Sequence, residues 1–178
     1  MSSIRQRALE AAVTLVGTDG VRALTHGRVD AAASLPPGST SNHFRTRAAL
    51  ISGVITWIAQ SERTDAGIPE IHSPDDLVAA LTQMIRMQSG PLAARTRARY
   101  ALFLEADGAT ARPLREQRLA MEAWVRGILS ELGGASAEAQ TSFLMAAAEG
   151  LLLHRLTVDP DAPIADVIAR AVRSALTA

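Results

Sequence analysis

A chain of 178 residues with 48% apolar composition suffices for one ordinary domain or a small domain with a mid-sized one, and it is too apolar to remain disordered. It contains no cysteine, which excludes disulfides, thiolate zinc sites and cysteine nucleophiles, and no run reaches the roughly 18 apolar residues of a membrane span. The net charge of zero hides a split: residues 1–50 hold six arginines against Glu10, Asp19 and Asp30, and the rest holds 12 arginines against 15 acids.

In chain order, the pattern predicts helix nearly throughout, because alanine, leucine and arginine dominate and no alternating β-branched run appears. Met1–Arg7 has no apolar signal core, so a cytoplasmic protein is expected. The first helix runs from Ser3 to about Thr18 and stops at Gly20. Thr25 caps a second helix through Ala33. After the turn Ser34-Leu35-Pro36, Pro37 opens a short third helix to Phe44. The fourth, Thr46 to Arg63, shows Leu50, Val54, Trp57 and Ile58 on one face. A linker-like stretch fills 64–73. Ser73-Pro74 opens the fifth helix, and Gly90-Pro91 separates it from the sixth, which ends near Asp107. The seventh covers Ala111–Leu132, the eighth Ser136–Thr157. A ninth follows Pro163, with Ile164, Val167, Ile168, Ala171, Val172, Ala175 and Leu176 at helical spacing. The expected fold is therefore all-α, with about nine helices.

Helices two and three, joined by a three-residue turn, have the dimensions of a helix-turn-helix. The third helix is built from Gly38-Ser39-Thr40-Ser41-Asn42-His43, residue types that form helices poorly. Short hydroxyl and amide side chains suit base edges and phosphates, and Gly38 lets backbone approach a phosphate. The charge split agrees, since a basic head on an acidic body suits a polyanion. A polar loop with caps is the plainer alternative.

The segment LTHGRVDAAASLPPGSTSNHFRTRAALI resembles the N-terminal domain of the tetracycline-repressor (TetR) family of transcriptional regulators, through Gly20, Thr25, Val29, Ala33, Gly38, His43-Phe44, Arg47 and Leu50. Ser34, Pro36, Asn42 and Ala48 depart from the family pattern. Serine at a left-handed Ser34 would cost about 1 kcal/mol. The resemblance implies a helix-turn-helix domain over 1–50 and a ligand-binding and dimerisation domain over 51–178, with helix four (46–63) as connector. It implies double-stranded operator DNA, a second copy of the chain and a small-molecule effector as partners. On that basis Thr25 and Arg47 are expected at phosphates, and Arg28 at a base or phosphate. Pro37, Ser39, Thr40, Asn42 and His43 are expected at the groove, and the Gly38 backbone at a phosphate. Phe44, Val29, Leu24 and Leu50 are assigned to the core.

In the body, Phe143–Leu153 carries one charge in eleven residues, so helix eight needs burial on both sides. With the resemblance this gives a four-helix dimer contact of helices eight and nine, through Ala147, Gly150, Leu151, His154, Ile168 and Val172. A central helix in a monomer is the alternative. Gln88 lies near the apolar stripe of helix five. Arg97 is expected on the apolar face of helix six, with Arg95 and Arg99 pointing the other way. Met84, Met87, Tyr100, Phe103, Met121, Trp124 and Phe143 are candidates for a pocket around Gln88 and Arg97, and equally for core. No cofactor or metal is expected: the four histidines show no ligand spacing with carboxylates. An all-helical enzyme is an alternative, but the sequence shows no glycine-rich phosphate loop and no nucleophile elbow. A helical interaction module without DNA binding leaves the polar third helix unexplained.

Overall fold

The computed structural model describes residues 2–65, 67 and 69–177, so Ala66 and Ile68 of the expected linker lie outside the described residues. Among the described residues there is no strand, and the helices are α1 (Ile4–Asp19), α2 (His26–Ala32), α3 (Ser39–His43), α4 (Arg47–Asp65), α5 (Pro74–Ser89), α6 (Ala93–Glu105), α7 (Arg112–Ala139), α8 (Thr141–Thr157) and α9 (Ala165–Leu176), with a short 3-10 turn at Val21–Ala23. The chain is all-helical.

Two boundaries differ from expectation. Pro37 and Gly38 belong to a turn, not to α3: Ser39 N–H donates to Pro36 O at 3.1 Å, and Gly38 takes φ 89° and ψ −8°. That is a type II turn, with proline and glycine at the two central positions it favours. α7 is interrupted at Gly134 (φ 70°, ψ −160°), resumes as helix over 135–139, and a turn at Gln140 puts the start of α8 at Thr141 and not at Ser136.

The chain divides into two compact units, residues 1–66 with 93–117 and residues 67–92 with 118–178. The boundary expected at residue 50 falls inside the first. In that unit Leu9, Ala12, Val16, Leu24, Val29, Phe44, Leu50, Val54, Ile58 and Leu102 form one buried cluster. α6 joins it through Ala98 and Leu102. A Cβ at Gly17 would lie 2.0 Å from the Ala94 carbonyl oxygen, so α1 and α6 cross backbone to backbone. Two ion pairs tie α6 to α4, Arg99–Glu62 at 3.0 Å and Arg95–Asp65 at 2.7 Å.

The second unit packs α5 and α8 against α9. α5 is started by the Ser73 hydroxyl, which accepts from Asp76 N–H at 3.1 Å, with Pro74 in the first turn. The Ser73 hydroxyl and His72 N–H donate in return to Asp76, holding its carboxyl below the usual range. Leu77, Leu81 and Ile85 are buried on one face of α5, each contributing roughly 1.5–3 kcal/mol of burial. Ile168, Ala171, Val172 and Ala175 form the matching face of α9. Arg155 on α8 donates to Ser89 Oγ at 3.0 Å and to Ala162 O, tying α8 to the end of α5 and the turn before α9.

Candidate nucleic-acid interface

The end of α2 is shaped for the turn that follows. Leu35 N–H bonds to Asp30 O at 2.8 Å and Ser34 N–H to Ala31 O at 3.2 Å, with Ser34 left-handed at φ 52°. This is a Schellman ending with serine where glycine is usual. Arg7 on α1 caps the same end, donating to Ala33 O (2.7 Å) and Ser34 O (3.2 Å).

Asp30 then sets the start of α3. Its carboxylate is buried and accepts from Gly38 N–H at 2.8 Å, Thr40 N–H at 2.8 Å and the Thr40 hydroxyl at 2.5 Å. Burial pushes the Asp30 carboxyl up, but the hydrogen bonds from Thr40 and Gly38 outweigh it and hold the group below its ordinary value. The partners are the free N–H groups at the N-terminus of α3, which no residue inside the helix can satisfy. On the far side His26 Nε2 lies 2.6 Å from Phe44 O, joining the start of α2 to the end of α3.

This arrangement sorts the expected contacts. Pro37, Gly38, Asn42 and His43 are exposed. Thr40 is 0% exposed and spends its hydroxyl on Asp30, so it does not reach a groove. Ser39 is half-buried and donates its hydroxyl to Pro36 O at 2.7 Å, closing the turn instead of pointing at bases. Thr25 caps α2, its oxygen accepting from Arg28 N–H at 3.4 Å, which leaves the hydroxyl proton to donate outward. Arg28 is half-exposed and paired with Asp19.

Arg47 is exposed and also makes contacts within the chain. Its Nη2 donates to Val21 O at 2.8 Å and its Nε to Leu24 O at 3.3 Å, so the guanidinium fastens the 3-10 turn to α4. Two residues earlier, Arg45 is exposed and has no hydrogen bond or ion pair among the described residues. It stands directly after Phe44 at the end of α3, and the sequence reading did not single it out. Its adjacency to His43-Phe44 was the available cue.

The expected pocket residues are spread over both units. Tyr100 is half-buried, Phe103 is 39% exposed and Arg97 is exposed on α6; Met84 and Gln88 are half-buried and Met87 is exposed on α5; Trp124 is half-buried on α7 and Phe143 is 46% exposed on α8. Arg97 is therefore not on the buried face. That face carries Arg95, Ala98, Arg99 and Leu102, the two arginines reaching acids on α4 with side chains 12% and 16% exposed. On α8, Phe143, Ala146, Gly150, Leu153 and His154 are exposed, and a Cβ at Gly150 meets nothing within 4 Å. Ala147 is half-buried beside them. Leu151, Ile168 and Val172, expected at a dimer contact, are instead 9%, 0% and 0% exposed. Those side chains pack within their own unit.

Among the described residues no helix is long and apolar enough to cross a membrane, and no group of three or more His, Asp or Glu side chains is placed to hold a metal.

A short capped α3 set after α2, within an otherwise wholly helical chain, is a helix-turn-helix architecture. The family model described as "Tetracyclin repressor-like, C-terminal domain" matches residues 72–178. The chain belongs to the TetR family. Solved structures share the fold over nearly its whole length. A TetR-family member from Streptomyces coelicolor A3 is 24% identical over 98% of this chain and 98% of that one, with a TM-score of 0.73. A transcriptional regulator from Rhodococcus sp. Rha1 is 17% identical over 97% and 94%, with a TM-score of 0.75. The multidrug binding protein EbrR in complex with ethidium is 24% identical over 97% and 98%, with a TM-score of 0.66. No curated protein matches the chain.

Proposed function

We propose that this chain is a cytoplasmic, sequence-specific DNA-binding regulator, most simply a repressor, that acts as a homodimer and leaves its operator when a small molecule binds the body. The head is residues 1–50, the body 51–178, and α4 connects them. One observation carries the reading. A five-residue helix of poor helix formers is held in place by the buried Asp30 carboxylate while Asn42 and His43 stay exposed beside Arg45. A helix kept only for stability does not need that combination.

In this reading Asn42, His43 and Pro37 meet base edges or groove walls, and Thr25, Arg45 and the backbone at Gly38 meet phosphates. Arg28 reaches DNA by giving up its exposed pair with Asp19, which is worth little. The apolar outward stripe Phe143–Gly150–Leu153 on α8, with Ala147 and His154 at its side, is the surface a second copy covers. The ethidium complex of EbrR supports a ligand site in a body of this fold.

Fluorescence anisotropy against DNA from directly upstream of the coding region tests the reading. Binding should be dimeric, with half-sites about 34–36 Å apart or a multiple of it, and should weaken steeply with salt. Asn42→Ala should change the ranking of operator variants at one or two positions. Absence of binding to that DNA at low salt would reject the regulator.

A further inference from the structure

Glu62 lies near the end of α4 with its side chain 6% exposed. Its Oε1 accepts from Arg99 Nη1 at 3.0 Å, whereas its Oε2 is equally buried and no donor of the described residues reaches it. A carboxylate oxygen is a strong acceptor, and buried acceptors in native chains nearly always find a donor. The surroundings explain why none comes from the chain. Arg95, one turn before Arg99 on α6, is spent on Asp65. The Arg99 guanidinium itself lies 5.1 Å from the centre of the Tyr100 ring. The two arginines and two acids cancel in charge.

We infer that Glu62 Oε2 is the polar anchor of the effector site, accepting a hydrogen bond from an N–H or O–H group of a neutral, largely apolar molecule. This rests on the regulator reading above. The charge balance selects the ligand class. Arg99 already neutralises Glu62, so a cationic ligand would leave a net positive charge in a buried place, at a large desolvation cost. A neutral donor satisfies the oxygen and leaves the balance intact. The anchor sits on α4, the segment that joins head and body, and shares its carboxylate with α6. A ligand held there therefore acts on the α4–α6 ion pair without an intervening element.

The test uses the full chain and two fluorescent probes of equal charge, 2-phenylindole and 1-methyl-2-phenylindole, which differ in one N–H. The wild-type chain should bind the N–H compound about tenfold more tightly or better. Glu62→Gln should erase that preference, because its amide oxygen stays with Arg99 and turns an NH2 toward the ligand. Should thermal melting show that variant unfolded, Glu62→Asp, which withdraws the oxygens by one methylene, should give the same loss in a folded chain. Equal affinity for the two indoles, or no binding of either, overturns the anchor. So does a preference that survives in a folded Glu62 variant. Proflavin, a planar cation, supplies the contrary arm: tighter binding than either indole, lost in Glu62→Gln, overturns the neutral class. Operator binding is followed in parallel. A chain that keeps the N–H preference but binds no operator rejects the regulator reading while upholding the anchor.

Discussion

The Asp30 carboxylate on α2 accepts both the backbone N–H (2.8 Å) and the hydroxyl (2.5 Å) of Thr40 on α3, so the second helix of the pair is docked by the first. Replacing Asp30 with Asn puts an NH2 against donors that need an acceptor. We expect Asp30→Asn to destabilise the chain by about 1–3 kcal/mol, read by thermal melting, with a parallel loss of operator affinity.

Acid should act through the same group. The folded value of Asp30 is lowered, so its contribution is complete above the ordinary carboxylate value of about 3.9 and is lost as pH falls through the lowered one. Melting temperature followed from pH 6 downward should fall less steeply in Asp30→Asn than in the wild type. Equal slopes would show that Asp30 does not couple to folding.

Ser34 holds a left-handed backbone at φ 52° without glycine's freedom. Ser34→Gly should raise stability by about 1 kcal/mol, because the two carbonyls that Arg7 holds belong to the backbone and are unaffected. An unchanged melting temperature would show that the serine conformation costs nothing there.

Arg45 and Arg47 should separate cleanly. Arg45→Ala should weaken binding to all DNA sequences alike and reduce the salt slope by about 1, with an unchanged melting temperature. Arg47→Ala should lower the melting temperature, because it strips the donors from Val21 O and Leu24 O. The reverse pattern would return the phosphate role to Arg47.

On α8, Gly150→Glu places a carboxylate in open space on the outward stripe. The monomer should melt normally, and sedimentation should show loss of the dimer, since an unpaired charge in an apolar contact costs several kcal/mol. A variant that remains dimeric would move the interface off this face.

What was legible in the sequence was local. Thr25 and Ser73-Pro74 announce helix starts, and the four-residue spacing of Ile164, Ile168 and Val172 gives the buried face of α9. What was hidden depends on partners distant in sequence. Asp30 reads as one of three acids in a basic head until α3 folds back on it, and the same contact withdraws Thr40 from the groove. Helical spacing sets Arg97 on a face with Ala93, Tyr100, Ala101 and Leu104, which reads as the inner one, yet Leu104 is 86% exposed. Paired with Asp65 and Glu62, Arg95 and Arg99 occupy the buried stripe and turn Arg97 out. Phe143 reads as pocket or core by size alone, and only the packing of α8 shows it facing outward.

The contact of Gly17 with Ala94 has a mechanical side. Where two helices touch main chain to main chain, no side chain is left to flex between them, and the pair moves as one body. A displacement of α6 therefore carries α1 with it, and α1 bears the Arg7 that clasps the end of α2. Force applied at α6 thus has two routes toward α3 in parallel, one along α4 through the Arg95 and Arg99 ion pairs and one through α1 and Arg7.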